Sequence, residues 1–271
     1  MELLPLNQEP SCFPGHLETY LSLLHEPSYA AFFANIVPDT SYAIGGIRMG
    51  ALRRMAKQIA AHPWRAQFLA EQVRAFERVP PSYEAVMVHL LAVAYARTPF
   101  DVLAREVRRG AAYIDNWALC DAFASTLRKR LLNDARGEAF VDALVVSREP
   151  FEARLGIVIA LGRSSTEARS AFLSWIFARI ELVRLDSEPV SMAFAWMLSQ
   201  FVQTNDAQIR AFVKRWPADG LTLKRFLQKI DTSQKYDASL KTLYHELAGS
   251  FRTGRAVRRA VAGAPLQGNL F

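Results

Sequence analysis

The chain is poor in cysteine: Cys12 and Cys120 are the only two in 271 residues, too few for a disulfide framework. Its five histidines (His16, His25, His62, His89 and His245) never pair at helix-ligand spacing, and no Cys-x-x-Cys occurs. That pattern argues against a bound metal, and no cofactor is expected. There is no Gly-x-Ser-x-Gly elbow. The Gly45-Gly46…Gly50 cluster lacks the Lys-Ser/Thr of a phosphate loop, so a tight turn between two helices is expected there. Long apolar runs are missing too. The longest, Leu155–Gly162, is too short to span a membrane. The first residues, MELLPLNQEPSCFPG, show no basic n-region and carry Glu and Pro early, so a secretory signal is not expected and a cytoplasmic location is. Period-two alternation of Val, Ile and Thr never runs long enough for a sheet.

Hydrophobic residues make up 51% and charged residues 22%, a balance that excludes wholesale disorder. Ala, Leu and Arg dominate, and all three favour helix. Pro and Gly fall between apolar-periodic stretches, so nearly every segment reads as helix. The spacing predicts helices over Leu17–Leu24, Ser28–Val37, a stretch from the glycine turn to His62, Pro63–Arg78, Tyr83–Ala96 with Ser82 as N-cap, Phe100–Arg109 and Asp115–Leu132. Gly137–Ser147, Phe151–Leu161, Ser165–Ile180, Ser187–Val202, Asp206–Lys214, Leu221–Ile230 and Ala238–Leu247 follow. On the third helix Leu52, Met55, Ala56 and Ile59 share a face, away from Arg53, Arg54 and Lys57. Helices of this length, paired every ~35–45 residues, suit a HEAT-type α-solenoid. The expected organisation is one repeat domain over residues 1–249 and a basic, partly disordered tail over 250–271.

The net charge is +7, and all of the excess lies after residue 200, where 12 Lys/Arg face 5 Asp/Glu. Arg252, Arg255, Arg258 and Arg259 cluster in the tail. Such asymmetry points to a polyanion, with nucleic acid first; a merely solvated tail is the alternative. Asp115-Asn116-Trp117-Ala118-Leu119-Cys120-Asp121 is the stretch richest in chemistry. Trp117 and Asp121 are one helical turn apart on one face, a setting in which a carboxylate can stabilise a nearby positive charge. The plainer reading puts the indole in the core and the carboxylate in a cap or ion pair. Trp196 lies in a segment apolar nearly all round, and by pattern alone it reads as buried. Arg154 enters an apolar helix and needs an anionic partner: Glu149, Glu152 or a phosphate.

Taken together the segments resemble the DNA alkylation repair enzyme family, the HEAT-repeat DNA glycosylases. The resemblance rests on Gly46-Ile47-Arg48-Met49-Gly50-Ala51-Leu52-Arg53, on Asn116-Trp117…Asp121, on Glu152-Ala153-Arg154-Leu155-Gly156-Ile157-Val158, on Ala193-Phe194-Ala195-Trp196-Met197-Leu198, and on Gln228-Lys229-Ile230 with Lys241. It covers about residues 28–248. It implies an all-α, curved α-solenoid of HEAT-like repeats and removal of cationic N3- or N7-alkylated purines from duplex DNA without a metal. By resemblance Asp121 is catalytic, flanked by the indoles of Trp117 and Trp196, and Arg154 lies near the DNA backbone. Arg48, Arg53, Lys229, Lys241 and the four tail arginines are the further phosphate-contact candidates, with little sequence specificity. Those four side chains (Trp117, Asp121, Arg154 and Trp196) are then expected to be exposed on one concave face. Ser191 departs from the family pattern, standing where a Lys is common. A monomer is expected. Two rival readings share the fold: a non-catalytic solenoid that binds damaged or branched DNA by shape, and a protein-interaction scaffold.

Overall fold

The computed structural model describes residues 13–216 and 220–249. Among these it is all-α: a lone bridge between Ala43 and Ser82 is the only β-type pairing, and no helix is long and apolar enough to cross a membrane. The chain divides into two compact units, Met1–Gly162 and Arg163–Phe271. The tail from residue 250, with Arg252, Arg255, Arg258 and Arg259, lies outside the described residues.

The first unit holds α1 (Phe13–Ser22), α2 (Pro27–Ala34), α3 (Met49–Ala61), α4 (Arg65–Arg78), α5 (Tyr83–Tyr95), α6 (Phe100–Ala111), α7 (Trp117–Leu131), α8 (Ala135–Val145) and α9 (Pro150–Ala160). Alternate helices form a row in which α3 packs on α5, α5 on α7 and α7 on α9, with α6 against α5 and α9 and α8 against α7 and α9. This is the stacking of a helical repeat, in which each pair buries its apolar face on the next. The sequence pattern follows from it. Residues 83–94 of α5 and 153–160 of α9 are buried on every side, because each helix has neighbours all round. Helix α6 buries only Leu103, Val107, Gly110 and Ala111 and turns Arg105, Arg108 and Arg109 outward. On α3 the expected face of Leu52, Met55, Ala56 and Ile59 is buried.

The Gly45-Gly46 turn serves the fold. The backbone N–H groups of Gly45, Gly46 and Ile47 donate to the buried Glu84 carboxylate on α5 at 2.8–3.2 Å. Gly46 has φ +82°, and a Cβ there would collide with the Glu26 carbonyl. These donors, an anion cradle in form, are filled by the protein's own carboxylate.

The second unit holds α10 (Thr166–Phe177), a 3-10 turn at Ile180–Leu182, α11 (Glu188–Arg215), α12 (Gly220–Thr232) and a helical stretch over 238–249. Helix α10 packs on α11, and α11 on α12. The two helices expected over Ser187–Val202 and Asp206–Lys214 are the two arms of α11, which meet at a break where the Asn205 backbone is not helical (φ −129°, ψ 31°). At this break Thr204 Oγ1 donates to Asn205 Oδ1 at 2.7 Å, and Asn205 Nδ2 donates to the Thr166 carbonyl at 3.4 Å. Ser82 caps α5 as expected, accepting from the Ala85 N–H.

Candidate functional site

Helix α7 begins on a polar clamp. The Asn116 side chain accepts from the Ala118 and Leu119 N–H groups and caps the helix. Asp115 accepts from Thr40 Oγ1, from the Ser41 N–H and hydroxyl, and from Asn116 Nδ2. The loop at residues 40–41 therefore fixes where α7 starts, and with it the first side chain of the helix, Trp117.

Trp117 is 46% exposed, so the reading that buries it in the core fails. One turn on, Asp121 is half-buried, with 24% of its side chain open to solvent. Arg154 crosses from α9 to meet it as a fork: Nε donates to Oδ1 at 3.1 Å, and Nη2 to Oδ1 and Oδ2 at 3.0 Å each. Paired donation of this kind fixes the carboxylate plane as well as its charge. Burial raises the Asp121 pKa above 3.8, against the opposing pull of Arg154 and, further off, Arg128. Cys120 is fully buried and burial drives its thiol pKa far up, so it has no thiolate to offer as a nucleophile.

Arg154 requires a correction. It was expected exposed, with Glu149, Glu152 or a phosphate as its partner. It is 6% exposed and its charge is answered by Asp121. Glu152 is engaged elsewhere, accepting from Arg108 at 2.6 Å and from Ser147 at 2.7 Å. Arg154 is the anchor of the carboxylate.

The other candidates fall as follows. Trp196 lies on α11 in the second unit, half-buried. Together with Met192 and Gln200 it makes the one strip of that stretch that is not buried. Ser191, by contrast, is fully buried; its hydroxyl bonds Thr222 Oγ1 and accepts from Arg225 Nη1, each at 2.7 Å. Arg48 is exposed, but its guanidinium stacks 3.8 Å over the Tyr29 ring and donates to Glu26 at 2.9 and 3.0 Å. Arg53 reaches Tyr95 Oη at 3.0 Å, and Lys57 lies over the same ring, so α3 and α5 share a cationic edge. In the second unit Lys229 is half-buried on α12, and Lys241 Nζ donates to the Asp231 carbonyl at 2.8 Å. No group of three or more His, Cys, Asp or Glu side chains among the described residues could hold a metal.

Arg128 went unnoticed in the sequence. It lies two turns beyond Asp121 on the same strip of α7, and its Nη2 donates to the Val158 carbonyl at 3.0 Å. Counting seven residues on from Asp121 along a 3.6-residue helix finds it.

The fold and this site define a stacked all-helical repeat protein whose first unit sets an open indole beside a carboxylate held by a guanidinium fork. The family model of the DNA alkylation repair enzyme matches residues 16–236, and the chain belongs to that family. Comparisons with curated proteins and with solved structures gave no match.

Proposed function

We propose that the protein is a monofunctional DNA glycosylase that releases cationic N3- and N7-alkylated purines from duplex DNA. The observation that carries this reading is the pairing of the exposed Trp117 ring with the fixed, partly open Asp121 carboxylate one turn away. An N3- or N7-alkylated purine is positively charged and departs neutral when it takes the electrons of its glycosidic bond, so the leaving group needs no proton. What remains is an oxocarbenium-like sugar, which a fixed carboxylate stabilises; water then adds at C1′ and releases its proton. Trp117 offers a π-face to the cationic base, worth about 0.5–2 kcal/mol. That selects for charge without a base-reading hydrogen-bond pocket.

The Asp121–Arg154 fork also suits the non-catalytic reading, in which the pair merely braces α7 against α9 and the protein recognises DNA by shape. One experiment separates the two. A duplex containing 7-methylguanine is incubated with excess protein, and free base and abasic sites are measured. Release supports the glycosylase; tight, salt-sensitive binding without release supports the shape-reading protein; no binding supports a scaffold.

A further inference from the structure

We propose that Arg128 forms a phosphodiester-binding subsite two turns beyond Asp121 on α7, gripping the backbone of the DNA strand whose sugar faces that carboxylate. The inference rests on the glycosylase reading and adds to it a residue that positions the strand.

The site carries two guanidiniums and one carboxylate. Arg154 is buried and takes both oxygens of Asp121 in its fork. Among the described residues Asp121 is also the one acidic group that acts on Arg128, so the Arg128 charge has no carboxylate of its own there. A half-buried cation left over in this way costs stability unless an anion arrives from outside.

Arg128 is seated for such an arrival. Its Nη2 is tied to the Val158 carbonyl at the end of α9. Its Nε is buried without a hydrogen-bond partner among the described residues. Nη1 makes no hydrogen bond among the described residues and, unlike Nε, is not fully buried. The stem passes over Gly162, where a Cβ would fall on the Arg128 Cγ and Cδ atoms. A side chain fixed at one nitrogen, with its aliphatic part in a glycine seat, presents its remaining donors at low entropic cost.

Register supports the same assignment. Trp117, Asp121 and Arg128 fall within a narrow arc of α7, with the small, buried Ala124 between the last two. In a nucleotide the phosphate is bonded to the same sugar whose C1′ reacts. A carboxylate facing C1′ and a cation further along the same helix face therefore match two features of one nucleotide. The ligand class is a singly charged phosphodiester, bonded through its non-bridging oxygens.

The test uses the full chain. Affinity for an unmodified duplex is measured against salt concentration for wild type, Arg128→Met and Arg128→Lys. Loss of one phosphate contact should weaken binding roughly tenfold and lower the slope of log K against log salt by about 0.9. Arg128→Lys should restore most of the slope. A second arm replaces the single phosphate on either side of a 7-methylguanine, in turn, by a neutral methylphosphonate. At one position the replacement should weaken wild type but leave Arg128→Met unaffected. Arg128→Gln takes the place of Arg128→Met if the latter fails to fold. An unchanged slope in the neutral variant, or methylphosphonate losses equal in wild type and variant, would overturn the subsite. Wild type that binds no DNA would instead overturn the functional reading beneath it. Binding with a normal Arg128 effect but no base release would remove the glycosylase and keep the subsite.

Discussion

Removal of the Arg154 guanidinium tests the geometry on which the site depends. Arg154→Met keeps most of the side-chain volume between α7 and α9 but leaves Asp121 without its fork. The pair is 8% and 24% exposed at the side chains, so water screens it little. Removing one member of a buried pair typically costs about 3–5 kcal/mol, because the charge left behind is stranded. Arg128 remains as a distant countercharge and solvent reaches part of the carboxylate, so about 3 kcal/mol is expected here. For a unit of this size that is a fall in Tm of roughly 6–12 °C. Asp121→Asn strands the buried guanidinium instead and turns amide hydrogens toward it, with a loss of about the same size. The double variant strands neither charge, so the two losses should not add; a coupling of about 2–3 kcal/mol is expected. Urea unfolding of the four proteins at pH 7, followed by circular dichroism, measures it. Losses that add to within about 0.5 kcal/mol would refute the reasoning, since the carboxylate would then not be held by this fork.

Other outcomes follow from single features. His89 is buried and its pKa is lowered to about 4 from 6.5, so the unfolded chain takes up the proton first as the solution is acidified. The resulting stability is present above pH 6.5 and is lost as pH falls toward 4, by on the order of 3 kcal/mol; urea midpoints at pH 7 and 4.5 should converge in His89→Gln relative to wild type. Burial holds the Asp121 carboxyl above its ordinary value of 3.8, so base release should fall with acidification through that raised pKa, and a pH–rate profile flat across the acid range would count against ionised Asp121 as the working form. Gly46→Ala meets a φ of +82° and the Glu26 carbonyl and disturbs the turn that satisfies Glu84; a loss of about 1–3 kcal/mol is expected in thermal melts, and wild-type stability would contradict it. Deleting residues 250–271 removes Arg252, Arg255, Arg258 and Arg259 and should flatten the salt dependence of DNA binding by about 3–4 units, whereas an unchanged slope would make the tail a solvated appendage.

Local structure was legible in the sequence where it obeys short-range rules. The Ser82 cap, the buried face of α3 and the break near Asn205 all follow from spacing and turn chemistry. The Trp117–Asp121 pair was equally legible, because i and i+4 on one helix are neighbours whatever the fold. What spacing does not encode is which helix lies next to which. Arg154 finds its partner 33 residues away, across the α7–α9 contact, and the nearer Glu149 and Glu152 drew the wrong inference. Burial on every side, as in α9, likewise hides the arginine that holds Asp121 among core residues. The Glu84 cradle escaped notice for the same reason: its donors are backbone groups nearly forty residues upstream. Arg128 is the opposite case. Its periodicity was readable, but its seat over Gly162 was not.

The central claim is that Asp121 acts on the sugar cation, and single-turnover release of 7-methylguanine tests it most directly. Wild type and Asp121→Asn are compared at 20 °C, where the variant is still folded by circular dichroism, with duplex affinity measured alongside. Loss of one preorganised electrostatic group should slow release by about 10²–10³. Affinity should hold or rise slightly, because a negative charge has left the DNA-facing side. Equal rates of release in the two folded proteins would contradict the assignment of Asp121.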